Sequence, residues 1–179
     1  MKILHIGQMI GGLDVYIRNS ITYSKGDFEY VIVHGKDDKN RPVVKNNCEV
    51  REYLIPLYRE LNAVNDWKAI VDAIKIVREE RPDVIHCHSA KGGVVGRIAG
   101  FVTGTKTFYT PHAFSFLSSA SKLKRFVYVL IERMMKLNSF LLACSDSERE
   151  IGITEVHYKR DHALVWNNAV PDAAVLIHG

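Results

Sequence analysis

Residues 83–116, DVIHCHSAKGGVVGRIAGFVTGTKTFYTPHAFSF, decide how the chain is read. The two ends of this stretch, 83–89 (DVIHCHS) and 106–116 (KTFYTPHAFSF), are apolar strands that each finish in a histidine-bearing loop. Between them, residues 91–104 (KGGVVGRIAGFVTG) are small and apolar, the composition of a helix lying close against a sheet. Strand, close helix and strand form the repeating unit of an open α/β sheet, which holds its ligands beyond the carboxyl ends of the strands. The histidine loops are expected at that edge.

Working outward, residues 2–6 read as a first buried strand, followed by Gly11 and Gly12 and a helix with Leu13, Ile17 and Ile21 on one face. Residues 29–34 and 51–57 are two further strands, and the polar stretch 35–47 between them reads as an exposed loop. Asn65 or Asp66 is placed as the cap of a helix that carries Trp67, Ile70, Ile74 and Val77 and stops before Pro82. A helix from Gly92 to about Val102 follows, then a strand over 105–110, an amphipathic Lys/Arg-rich helix over 123–137 and a strand over 139–144. Ser145 and Glu148 have capping-box spacing for one more helix, and 163–166 is the last strand. This alternation predicts one Rossmann-like domain over 1–179, a doubly wound parallel sheet with helices on both faces.

The 179 residues are 47% hydrophobic and 25% charged, an ordinary globular composition with enough apolar surface for one core. A net charge of +4 suits an anionic partner such as a nucleotide, a phosphorylated sugar or a membrane surface, or a mildly basic protein without one. No nucleic acid partner is expected. Three cysteines cannot close a disulfide set, which points to a reducing, cytoplasmic setting. No segment reaches the roughly 20 apolar residues of a membrane span, and the opening MKILHIGQMIGG lacks the apolar length and basic flank of a signal peptide.

The candidate site residues follow from these placements. Gly11 and Gly12 would let a phosphate approach the free amides of a helix start, or simply make a tight turn. The three spaced glycines of a dinucleotide site are absent, and no acidic ribose ligand follows the second strand. His86 and His88 are read as pointing to opposite faces of their strand, so no shared metal is expected, with His86 packed inside and His88, with Ser89, in the loop. His112, directed out of the sheet after Pro111, leads the list, suited to a hydrogen bond with a sugar hydroxyl or to a charge near a phosphate. Phe114 and Phe116 either line a sugar pocket or pack in the core. Lys91 is an anion-binding candidate near a helix start. Along 121–137, Lys122, Lys124, Arg125, Arg133 and Lys136 either meet anionic lipid or form a solvated face over an ordinary core stripe. No serine or cysteine sits in a nucleophile elbow.

Taken together, IGQMIGG at 6–12, HCHSAKGGVVGRIAG at 86–100, FYTPHAFSF at 108–116, ACSDSERE at 143–150 and VWNNAVPD at 165–172 resemble the amino-terminal domain of GT-B glycosyltransferases. The match is to retaining family 4, of the bacterial capsule and exopolysaccharide type. The resemblance implies that this half binds a saccharide or lipid-linked acceptor while a carboxyl-terminal half holds a nucleotide sugar, without a metal or other cofactor. It puts Gly11 and Gly12 in the loop that approaches the donor phosphates and His112, as the catalytic histidine, near the transferred sugar. His88, Ser89, Lys91 and Phe114 fall on the acceptor side, and Ser145 and Glu148 border the cleft. Asn168 and Val170 match the segment leading into the second domain, with Ala169 where the family often has glycine.

The second Rossmann-like domain, with its basic diphosphate site and paired glutamates, is missing, so the chain is expected to lack useful activity alone and to need that domain in cis or in trans. Work at the inner face of the cell membrane is implied, with peripheral contact left open. Two other readings compete: a non-catalytic glycan- or partner-binding module, and a stand-alone nucleotide-binding Rossmann domain.

Overall fold

The computed structural model describes residues 1–36, 41–60 and 62–166. The first unit is β1 (Lys2–Ile6), α1 (Gly12–Thr22) and β2 (Glu29–Gly35). A small hairpin, β3 (Val44–Lys45) with β4 (Cys48–Glu49), precedes β5 (Arg51–Ile55). Then follow α2 (Ala63–Glu80), β6 (Val84–His88), α3 (Ser89–Thr103), β7 (Lys106–Thr110) and α4 (Lys122–Met134). The last elements are β8 (Phe140–Ala143), α5 (Asp146–Thr154) and β9 (Ala163–Val165). The main sheet has seven strands in the order β5-β2-β1-β6-β7-β8-β9, every pair parallel. The doubly wound α/β class read from the sequence is the one observed. Its order reverses between β1 and β6, the switch point at which such sheets bind ligands.

Alternation along the strands divides two buried clusters between the two faces. Leu4, Ile6, Ile85, Cys87, Tyr109 and Leu141 belong to a core shared with α2, α3, α4 and α5, whereas Ile3, Tyr30 and Ile32 pack with Tyr16, Ile17 and Ile21 of α1. The small residues of α3 explain how closely it lies on the sheet. A Cβ built on Gly96 would stand 2.3 Å from the Cys87 Cβ, and one on Gly92 would stand 2.9 Å from the Gly7 Cα, distances that real side chains do not tolerate. The helix can approach β1, β6 and β7 only because these positions carry no side chain.

Several boundaries shift from the sequence reading. The cap of α2 is Asn62, whose side chain accepts from the Val64 and Asn65 amides, rather than Asn65 or Asp66. The α3 helix begins at Ser89 instead of Gly92, directly at the end of β6. Part of the expected 35–47 loop is the β3–β4 hairpin, too short and polar to show a strand period. The apolar stripe of α4 is not core packing: Leu123, Phe126, Leu130 and Met134 are 73%, 64%, 45% and 63% exposed, and only Val129 and Glu132 of the helix are buried. Asn168, Ala169 and Val170 lie outside the described residues.

Candidate functional site

At the carboxyl end of β7 the chain makes an unusual turn. His112 and Ala113 have φ of 54° and 77°, left-handed backbone that non-glycine residues adopt at a cost of order 1–3 kcal/mol each. Glu148 holds this turn in place. Its buried carboxylate accepts from the Ala113 amide at 2.8 Å and from the Cys144 amide at 2.7 Å, so one side chain ties the end of β7 to the end of β8. Ser145 in turn caps α5 by accepting from the Glu148 amide at 3.2 Å. Glu148 thus meets the His112 turn as a positioning residue, and Ser145 holds the start of the helix that carries it.

The His112 ring is half-buried. Tyr16 meets it edge-on, centroid to centroid 4.6 Å, and its Nε2 and Nδ1 lie 3.2 Å from His88 Nδ1 and 3.7 Å from Cys144 Sγ. Burial pushes its pKa down to about 4, so the ring is neutral at physiological pH. Of the two roles read from the sequence, a hydrogen bond from a neutral ring is the one this setting supports. Burial also pushes the Cys144 thiol up to about 12, which keeps it protonated and unreactive.

Gly11 caps α1 at φ 58° and Gly12 opens it, both exposed, with no atom within 4 Å of a Cβ built on either. Backbone amides are therefore presented to open space beyond β1. Ser89, at φ 57°, starts α3 on the neighbouring strand end.

Three expected acceptor contacts are corrected. Phe114 is 1% exposed and stacks on Phe116 at 5.1 Å in the core, out of reach of any ligand. Lys91 is already committed: its ammonium pairs with Asp66 at 2.7 Å and donates to the Glu60 carbonyl, fastening the start of α3 to the start of α2. His88 is fully buried, while His86, expected inside, is partly exposed.

The placement of His86 and His88 on opposite faces also fails. The strand is continuous through both, and residues two apart share a face. Their ring centroids are 4.0 Å apart, and His5 of β1 joins them from the adjacent strand. His5, His86 and His88 bring one ring nitrogen each to within 4.8 Å of one another, a set able to hold a metal ion. His5 and Tyr16 were missed by sequence reasoning; a histidine inside the apolar run KILHI was the available signal for the first. Beside the cluster, on the face that carries α1, runs a groove of 560 Å³ lined by His5, His86, Tyr16, Phe108 and Trp166 among others. Among the described residues no helix is long and apolar enough to cross a membrane.

A family model described as a glycosyl transferase 4-like domain matches residues 11–168. An Escherichia coli UDP-Gal:alpha-D-GlcNAc-diphosphoundecaprenol alpha-1,3-galactosyltransferase is 32% identical over 111 residues, 60% of this chain and 29% of the relative. The Staphylococcus aureus capsular polysaccharide biosynthesis glycosyltransferase CapM is 26% identical over 148 residues, 78% of this chain and 38% of the relative. The chain therefore spans less than half the length of these two relatives. A crystal structure of Anabaena HepE in complex with UDP and glucose superposes with a TM-score of 0.65 at 16% identity, covering 95% of this chain and 45% of that one. That likeness is one of fold.

Proposed function

The chain belongs to the glycosyl transferase 4-like domain family, and on that premise we propose that it is the acceptor-side half of a GT-B glycosyltransferase. In this reading the enzyme moves a sugar from a nucleotide-sugar donor to a saccharide or lipid-linked acceptor during surface-polysaccharide assembly, and a donor-binding domain completes the site in cis or in trans. The observation that carries it is the strained His112–Ala113 turn at the carboxyl end of the sheet, held by Glu148 and packed against Tyr16 of the helix that Gly11 and Gly12 open. Strain maintained by a buried carboxylate is characteristic of positions fixed for a ligand rather than for packing.

Each group then has a task. Exposed amides at the start of α1 approach the donor phosphates, where the helix dipole favours negative charge. The neutral His112 donates or accepts a hydrogen bond at a hydroxyl of the transferred sugar. Ser89 and Ser145 border the acceptor path from the flanking strand ends. Relatives whose names specify UDP-Gal as donor and a diphosphoundecaprenol-linked acceptor, or a capsular polysaccharide pathway, support these substrate classes. Because the groups that stabilise a leaving diphosphate are expected on the donor domain, the isolated 179 residues should bind acceptor without sustained transfer. Saturation-transfer NMR with acceptor glycans, run beside a transfer assay, checks both halves of this statement. Steady turnover by the isolated chain would contradict it.

A peripheral membrane contact at the inner face is part of the same reading. The exposed apolar stripe of α4 is flanked by Lys122, Lys124 and Arg133, the pairing of apolar and basic groups that seats a helix in an anionic interface. Replacing Leu123 and Phe126 with serine should lower sedimentation with anionic vesicles severalfold, and leave stability within about 0.5 kcal/mol because both side chains are exposed. Unchanged vesicle binding would remove α4 from the interface.

A further inference from the structure

The face of the sheet that carries α1 holds a cluster of three histidines to which the proposed transfer assigns no role. His5 and His86 are register partners across the parallel β1–β6 pair, and His88 follows two residues later on the same face. The surroundings dictate which nitrogens are open. Thr110 Oγ1 donates its hydrogen to the Leu142 carbonyl at 2.7 Å, so toward His86 Nε2, 2.8 Å away, it acts as acceptor. His86 therefore carries its proton on Nε2 and a free lone pair on Nδ1. His88 Nδ1 is engaged by His112 Nε2 at 3.2 Å, which leaves His88 Nε2 facing His5 Nδ1 at 2.9 Å. Two of the three rings thus have one nitrogen held by a residue outside the cluster, the support that fixes tautomer and orientation in metal-bound histidines.

We propose that His5, His86 and His88 bind a single divalent transition-metal ion of the zinc class through three imidazole nitrogens, with its fourth position open toward the groove. The donor set selects the metal. Three neutral imidazoles suit Zn²⁺, Co²⁺, Ni²⁺ or Cu²⁺, whereas Ca²⁺ and Mg²⁺ require oxygen ligands that the cluster does not offer. Tetrahedral ligands at metal distances stand about 3.3 Å apart, so the His5–His88 contact opens by a few tenths of an ångström, and the hydrogen held between the two rings shifts to the other nitrogen of its own ring, leaving both imidazoles neutral. Since His5 and His86 both line the groove, water or a small ligand reaches the remaining position from there. The site does not rest on the reading as a transferase half, although His112, which that reading places at the transferred sugar, also supports His88.

The test uses the 179-residue chain stripped with a chelator and titrated with Co²⁺ and then Zn²⁺. One Co²⁺ per chain with the visible ligand-field bands of a tetrahedral nitrogen site, displaced by Zn²⁺, is the expected result, with a rise of several degrees in melting temperature. His86→Gln, at a partly exposed position, should weaken Zn²⁺ binding by at least 10-fold. Thr110→Val, which keeps the side-chain volume and removes the support of His86, should weaken it about 10-fold. Circular dichroism and melting show that each variant is folded. Absence of the ligand-field bands in the parent chain overturns the proposal. So does stoichiometric binding that neither variant disturbs, because the ion would then sit elsewhere, as at the exposed Cys48.

Discussion

The two faces of the sheet each bury a polar cluster, and the clusters are built on opposite terms. On the face covered by α2 to α5, Arg97 and Glu132 form a full ion pair at 3.0 Å, both side chains almost completely buried. Tyr109 donates to the second carboxylate oxygen at 3.0 Å, Arg97 Nε donates to the Gly93 carbonyl at 2.9 Å, and the guanidinium stacks on the Tyr109 ring at 4.0 Å. On the face of α1, His5, His86, His88 and His112 touch ring to ring, and burial holds all four pKa values below the ordinary histidine range. The first cluster is charged and its charges are paired, so it locks α3 to α4, while among the described residues the buried Arg97 Nη2 has no hydrogen-bond partner. The second is uncharged, carries lone pairs without counterions and ends at a strained turn on the open edge of the sheet. The contrast is one of charge: the first cluster neutralises itself through its ion pair, whereas the second offers uncharged lone pairs.

The largest effect should come from breaking the buried ion pair. Glu132→Ala leaves the Arg97 charge buried without its partner and should cost about 3–5 kcal/mol in urea denaturation. A cost below about 1 kcal/mol would mean the pair is not what fastens α3 to α4. Next, Gly96→Ala drives a methyl into the Cys87 Cβ on the same face and should cost about 1–3 kcal/mol. A neutral result would show that α3 can lift away from the sheet.

The smallest and most diagnostic effect is in pH. His5 and His112 are held by burial at about 4, well below their unfolded value near 6.5. Through that window the unfolded chain binds protons that the folded chain refuses, so stability falls as pH is lowered from about 6.5 toward 4. On the covered face Glu80 acts in the same direction but in a lower pH window. Despite burial, which raises its pKa, hydrogen bonds from Tyr53, Arg51 and Lys2 hold it at about 2. Its contribution is therefore present above the ordinary carboxylate range and is lost only as pH falls through that range toward 2. Denaturation of the metal-free chain at intervals from pH 7 to pH 3 separates the two, and a flat profile between pH 7 and 5 would contradict the histidine assignment.

How much of this was legible in the sequence depended on how local the cause was. The strands declared themselves as apolar runs such as EYVIVH, and the small residues of KGGVVGRIAG announced a helix pressed on a sheet. The position of His112 just past a strand end was legible because Pro111 marks that end. What failed was non-local or depended on strand parity. The partner of Lys91, Asp66, lies 25 residues away on another helix, and nothing near Lys91 marks it as paired. Phe114 and an exposed aromatic look the same in sequence, and only the stacking on Phe116 separates them. The histidine cluster was hidden by assigning residues two apart to opposite faces, and its third member sits on a strand 81 residues earlier than His86 in the chain's order of pairing. The exposed stripe of α4 has the period of a buried one, because periodicity reveals a face and not what covers it.

The central claim is that His112 serves sugar transfer while the cluster behind Arg97 serves the fold. It is tested most directly by His112→Ala in the enzyme assembled with its donor domain, measuring turnover and melting temperature on the same sample. The account predicts a fall in turnover of about 100-fold with a stability loss of no more than about 1 kcal/mol. Unchanged turnover with a clearly lowered melting temperature would make His112 a structural residue and contradict it.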